Sequence, residues 1–174
     1  MGTVTEIGAA GRVLVVVDGA NLRGSLQFTE YARIEAEGLR SWAQAYGRPS
    51  IEWFQGAYTW NEKFHQLLRS RGIRVHAPQP KKLPDGTLKC DLDVAIAVSI
   101  LSQVDAFDTV VLFSGDGDFE PLVIELQRRQ VRVVIVGRWG TLAPELVQHL
   151  PEEDFVSLDD ALSTFGRLRT RDAA

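Results

Sequence analysis

Short, unbroken apolar runs alternate with longer stretches of helical spacing along this chain. The run Arg12-Val13-Leu14-Val15-Val16-Val17 is rich in valine and stops at Asp18-Gly19. That is the pattern of a strand buried on both faces of a parallel sheet. Residues 51–58, 73–76, Thr109–Phe113 and 131–136 predict further strands, and Phe155-Val156 a last short one. Residues 29–46 place Tyr31, Ile34, Leu39, Trp42, Ala43 and Tyr46 largely on one face before Gly47 and Pro49, which predicts one helix. Residues 61–71 predict a helix capped by Asn61, with Gly72 just past its end. Residues 91–104 predict another, with Leu92, Ala95, Ile96, Ile100 and Val104 inward and Asp91 as a plain N-cap. Helices are also expected at 119–130, with Pro121 in the first turn, at 143–150 and at 159–168. Residues 77–88 carry Pro78, Pro80, Pro84, Asp85 and Gly86 and predict a loop or irregular hairpin.

This alternation predicts an α/β fold: a three-layer α/β/α sandwich around a mainly parallel central sheet. No repeat or internal linker divides the sequence, so residues 12–165 are expected to form a single domain. Residues 1–11 are expected to be a flexible N-terminus and 166–174 a loose C-terminal tail.

Composition changes the picture in three places. No apolar run approaches the ~20 residues of a membrane span, and the N-terminus has no export pattern, so the expected location is cytoplasmic, away from membranes. The lone Cys90 excludes an intramolecular disulfide and a cysteine-rich zinc site. A net charge of −4 does not suit coating nucleic acid by bulk electrostatics, so any such binding must use a local patch.

In open parallel sheets ligands bind beyond the carboxyl ends of the strands. Three segments deliver carboxylates there: Asp18 after the first strand, Asp116 and Asp118 after Thr109–Phe113, and Asp91 and Asp93 at a helix start. Carboxylates crowded together repel unless a cation joins them. A hard oxygen-donor set of this kind suits Mg²⁺ or Mn²⁺. Gly19, Gly115 and Gly117 are expected to let the backbone approach a ligand. The plain alternative is that each aspartate is a turn or N-cap residue.

Together the segments Val15-Val16-Val17-Asp18-Gly19-Ala20-Asn21-Leu22, Lys89 to Val98, and Ser114-Gly115-Asp116-Gly117-Asp118-Phe119 with Pro121-Leu122-Val123 resemble the NYN domain family. This is a branch of the PIN-like nucleases, and the similarity is to its LabA-like members. It implies a PIN-like fold and a Mg²⁺- or Mn²⁺-dependent ribonuclease site. By motif position Asp18, Asp93, Asp116 and Asp118 form the acidic, catalytic metal cluster. The resemblance implies that Asn21 is the polar residue of the first motif, placed near metal or substrate, and that Ser114 holds a carboxylate or water. The chain departs from the family in carrying Cys90 where many relatives have Gly, and Ser99 where many have Asp.

For an RNA substrate, expected to be single-stranded, Lys81, Lys82, Lys89, Arg23 and Arg138 are candidate phosphate contacts. Tyr58 and Trp60 are candidate stacking platforms for unpaired bases. Each has an ordinary alternative, as a solvated lysine or an aromatic covering a helix. Trp42 and Trp53 fit core positions, and His65, His76 and His149 lack ligand spacing. The arginines at 167, 169 and 171 fit a solvated end. Apolar surface on the later helices leaves a homodimer open.

The leading expectation is a metal-dependent endoribonuclease. The alternative is a non-catalytic module that binds RNA or a protein. Other metal-phosphate enzymes fit less well: a Toprim-type site wants an upstream Glu where only Glu6 stands, and a haloacid-dehalogenase-type site wants an Asp where Ala20 stands. No Gly-x-Gly-x-x-Gly marks a dinucleotide site.

Overall fold

The computed structural model describes residues 11–169. In chain order the first half comprises β1 (Arg12–Asp18), α1 (Gly19–Leu26), β2 (Tyr31–Ile34), α2 (Ala36–Ala43), β3 (Arg48–Phe54), α3 (Glu62–Ser70) and β4 (Arg74–His76). A small hairpin of β5 (Lys81–Lys82) and β6 (Leu88–Lys89) leads into α4 (Asp93–Ser102). Then follow β7 (Thr109–Phe113), α5 (Glu120–Arg128), β8 (Arg132–Gly137), α6 (Pro144–Val147), β9 (Phe155–Ser157), α7 (Leu158–Phe165) and β10 (Gly166–Leu168).

Six strands form one sheet in the order β4-β3-β1-β7-β8-β9, and every pairing in it is parallel. The alternation of side chains along β1 explains the layers. Val13, Val15 and Val17 point into a core with Leu22 and Leu26 of α1, Leu39 of α2, Leu68 of α3 and Leu162 of α7. Leu14 and Val16 point the other way, onto Ile96 and Ile100 of α4 and Leu122, Val123 and Leu126 of α5. Both faces of the sheet are therefore covered, which is why its strands are continuous valine-rich runs. This is the expected three-layer α/β/α architecture. No helix among the described residues is long and apolar enough to cross a membrane.

The strand order fixes where a ligand can sit. After β1 the chain builds outward through β3 and β4, then returns to lay β7 on the other side of β1. Connections leave β1 and β7 toward opposite faces, opening a crevice at their carboxyl ends. Asp18 ends β1, and Ser114 follows directly on β7.

Several local expectations need correction. Residues 29–46 are not one helix. Tyr31–Ile34 is a strand that pairs antiparallel with β10, α2 follows, and Gln44–Tyr46 is a 3₁₀ turn. Strand pairing with a distant segment overrides the local helical spacing. The helix expected over 159–168 ends at Phe165 for the same reason. A Cβ at Gly166 would lie 2.4 Å from the Tyr31 ring, so the close β2–β10 approach requires glycine there. In α4 the expected inward Ala95 is exposed. Asp91 does not cap that helix, which starts at Asp93 with Leu92 in the N-cap position. Asn61 stands at the N-cap of α3 but makes no cap bond. Its side chain instead accepts from the Tyr58 N–H at 2.9 Å and donates to the Gly56 carbonyl at 2.9 Å, closing the loop after β3. The expected loose tail 166–174 begins instead with strand β10, Arg167 meets Glu35 at 3.5 Å, and Arg169 donates to the Leu26 carbonyl at 2.8 Å. Residues 1–10 and 170–174, with Glu6 and Arg171, lie outside the described residues.

Candidate metal centre

The crevice is built from two turns tied to each other. At the end of β1, Asp18 is the N-cap of α1, its Oδ1 accepting from the Ala20 and Asn21 N–H groups at 3.1 and 3.0 Å. An aspartate there satisfies helix N–H groups that have no partner within the helix. Its Oδ2 accepts from the Ser114 hydroxyl at 3.3 Å. Ser114 Oγ in turn accepts from the Asp116 N–H at 3.2 Å, and Asn21 Oδ1 accepts from the Gly115 N–H at 3.1 Å. Asp116 Oδ1 accepts from the Asp118 N–H at 3.0 Å. Asp18, Asn21 and Ser114 thus lock the loop after β7 against the start of α1, and that loop presents Asp116 and Asp118.

The third contribution comes from across the crevice. One carboxylate oxygen from each of Asp93, Asp116 and Asp118 lies within 4.8 Å of the others. Asp93 is the first residue of α4, so packing Ile96 and Ile100 beneath the sheet aims the helix start at the β7 loop. The cluster opens into a groove of about 430 Å³ between α4 and α5, bordered by Val94, Leu101, Phe119 and Leu122.

The electrostatics are strained. Burial, followed by the charges of Asp18, Asp91, Asp116 and Asp118, pushes the Asp93 carboxyl up to about 6. Burial also raises Asp18, against the lowering effect of its bonds from Asn21, Ala20 and Ser114. A divalent cation answers this arrangement. Ligand oxygens on an octahedral ion of Mg²⁺ size stand about 3 to 4.2 Å apart, and the three carboxylate oxygens lie within 4.8 Å of one another. An all-carboxylate set is hard and fits a hard divalent cation.

Of the expected site residues, Asp93, Asp116 and Asp118 come together as ligand candidates. Asp18 stands beside them with both oxygens hydrogen-bonded. The glycines have a packing role visible in the structure. None of Gly19, Gly115 and Gly117 has a positive φ. A Cβ at Gly19 would lie 2.7 Å from Trp53 Nε1, and one at Gly115 would lie 3.1 Å from the Thr141 carbonyl. They permit close packing of the turns against neighbouring chain.

The outer candidates are spread around this centre. Lys89 of β6 faces Lys81 across the hairpin, and its Nζ is 3.6 Å from Asp91. Tyr58 and Trp60 stack on each other at 5.4 Å, and the Arg23 guanidinium lies 3.8 Å over the Trp60 ring. Arg138 follows β8, 3.7 Å from Asp159, with its guanidinium 5.5 Å from the Phe28 ring. Its buried Nε has no hydrogen-bond partner. Cys90 packs against the core under α4, as a small thiol does, and burial raises its pKa.

Two features escaped the sequence reading. Glu52, in the middle of β3, is fully buried. It is bonded to Arg74 at 2.6 Å, His76 at 2.9 Å, Ser99 at 2.9 Å and Gln103 at 3.0 Å. The other is the set Trp53, Gln55 and His65, in which Gln55 Oε1 accepts from Trp53 Nε1 at 3.2 Å and meets His65 Nε2 at 3.1 Å. A lone Glu within an apolar run was the available signal for the first.

A sequence model of the NYN domain matches residues 12–159. The Low amplitude and bright protein LabA of Synechococcus elongatus is 28% identical over 148 residues, covering 78% of each chain. A probable transcriptional regulatory protein of Dehalococcoides mccartyi is 30% identical over 70 residues, which is 40% of this chain and 28% of that one. Among solved structures, a protein of unknown function from Vibrio parahaemolyticus superposes with a TM-score of 0.73 at 24% identity, over 93% of this chain and 99% of that chain. It shares the fold.

Proposed function

The chain belongs to the NYN domain family, and from that premise we propose that it is a metal-dependent endoribonuclease working at the carboxylate cluster. The observation that carries this reading is the convergence of Asp93, Asp116 and Asp118 within 4.8 Å at the switch point of the sheet. Such a concentration of negative charge repels a phosphodiester unless a cation stands between them.

Asp93, Asp116 and Asp118 would hold one or two hard divalent ions, Mg²⁺ or Mn²⁺. Bound there, such an ion supplies positive charge that polarises a phosphoryl oxygen and acidifies water for in-line attack. Asp18, Asn21 and Ser114 serve as positioning residues. They fix the backbone of 115–116, so that the Asp116 carboxylate needs no reorganisation when substrate arrives. Lys89 and Arg138 contribute cationic surface for the RNA phosphates, and Tyr58 and Trp60 aromatic surface for its bases.

The test is cleavage of single-stranded RNA by the full chain with Mn²⁺ or Mg²⁺. Asp116→Asn is expected to abolish cleavage while circular dichroism and melting show an intact fold. Cleavage that continues unchanged in EDTA contradicts the proposal. RNA binding without turnover at any metal concentration would favour a non-catalytic module instead.

A further inference from the structure

A second cavity lies next to the metal centre, on the sheet face that carries α1 and α3. It is a groove of about 280 Å³ whose apolar lining includes Leu22 and Leu26 of α1, Ile34 of β2, Trp53 of β3 and Phe64 of α3. Gly19 also lines it, and Gly19 directly follows Asp18. The groove and the carboxylates therefore flank the start of α1. Trp60 stands at its mouth, 53% exposed, with the Arg23 guanidinium over its ring.

We propose that this groove seats one unpaired nucleobase of a single-stranded nucleic acid whose neighbouring phosphate lies at the carboxylates. The identity of that phosphate as the one cleaved rests on the nuclease reading; the base site does not.

The size, lining and charge of the groove lead to that occupant. A volume of about 280 Å³ suits one flat heterocycle and is at the small end for ligand sites. Apolar walls with an exposed indole at the mouth are what a base needs when it leaves its stack. The rim carries the charge that flanking phosphates require. Arg23 and Arg33 both line the groove and are exposed. Arg33 stands directly opposite Arg167 in the β2–β10 pair. Arg167 is met by Glu35 at 3.5 Å, which leaves Arg33 and Arg23 as the cations that line the groove. In a chain of net charge −4 this local excess of arginine is a selective feature. A base held in a duplex cannot enter without unpairing and unstacking, so the groove selects single strands.

The experiment uses the full chain with Ca²⁺, a larger ion that supplies positive charge at the carboxylates without the tight octahedral geometry of Mg²⁺, and a labelled seven-nucleotide single-stranded RNA whose integrity is checked after each titration. The same RNA carrying one abasic position, moved along its length, is the second probe, and a duplex of that RNA is the third. Ala32→Trp fills the groove from an exposed position in its lining, and Trp60→Ala removes the platform. Both variants are expected to weaken single-strand binding roughly tenfold. One abasic position should lose a similar factor on the wild type and little further on Ala32→Trp. Mn²⁺ affinity of both variants should equal that of the wild type, which separates the groove from the carboxylates. The proposal is overturned if both variants bind like the wild type, if the abasic scan is flat, or if the duplex binds as tightly. Loss of binding in the variants of a protein that never cleaves RNA would sink the nuclease reading and leave the groove. Metal-dependent cleavage with a flat abasic scan would do the reverse.

Discussion

Helix α4 touches two carboxylate sites, and they have opposite solutions to the same problem. At its far end Ser99 and Gln103 bond to Glu52, which Arg74 and His76 also meet. Burial alone would raise the Glu52 carboxyl, but the hydrogen bonds from Gln103 and Ser99 and the charges of Arg74 and His76 hold it below its ordinary range. At its near end Asp93 faces other aspartates, and its carboxyl is pushed up to about 6. The first site is neutralised from within and has no use for a ligand. The second is assembled with its charge unmet, although Asp18, Asn21 and Ser114 fix its backbone tightly. The hydrogen bonding that holds these anions together is what supports the proposal of a cation at this site.

That contrast can be broken by substitution. The largest effect is expected from Asp116→Asn. It should cut metal-dependent RNA cleavage by at least about a hundredfold, the scale of losing a preorganised charge at a reacting phosphate. Thermal unfolding should stay near that of the wild type. Glu52→Gln should behave in the opposite manner. It takes the buried anion away from Arg74, His76, Ser99 and Gln103 and is expected to cost about 2 kcal/mol of stability, read by urea denaturation, with metal affinity kept. Loss of metal binding in that variant would merge the two sites and defeat the distinction.

A smaller effect has the opposite sign. Asp93→Asn relieves repulsion, so the metal-free variant should melt higher than the wild type by about 2 °C, since the site is part-exposed and screened. Mn²⁺ should raise the wild-type melting temperature and leave the variant almost unmoved.

The smallest effect is in pH dependence. Asp93 titrates at about 6 in the fold and lower when unfolded, so the folded metal-free protein binds the extra proton. Its stability should therefore rise as pH falls from about 7 to about 5, and this rise should vanish in Asp93→Asn. Glu52, held low, contributes stability that is present above the ordinary carboxylate range and is lost as pH falls through its depressed value. A wild-type curve identical to that of Asp93→Asn between about pH 7 and about pH 5 would contradict the strained cluster.

The sheet was legible because burial on both faces writes itself as continuous valine-rich runs, as in β1 and β7. The aspartates were legible because each stands at a strand or helix end, where position along the chain already specifies the edge of the sheet. Asp18 shows the limit of that reasoning. Its place was evident, yet only the folded turn shows that Ala20, Asn21 and Ser114 occupy its oxygens. The stretch 29–46 misled because Ile34 and Leu39 keep helical spacing while belonging to a strand and a helix that bury into one core. The partner that makes Tyr31–Ile34 a strand, β10, lies at the other end of the described chain. Glu52 looked like an ordinary strand position because its neutralising groups arrive from β4 and α4 and the residue just after α4. The arginine-rimmed groove is assembled from α1, β2, β3 and α3, so no single stretch carries its signature.

The most direct measurement is the location of Mn²⁺ by anomalous scattering in crystals of this protein grown or soaked with the ion. The account predicts a peak coordinated by oxygens of Asp93, Asp116 and Asp118, and its loss in Asp116→Asn. Crystals at saturating Mn²⁺ with no peak among those side chains, or with the ion bound elsewhere, would contradict it.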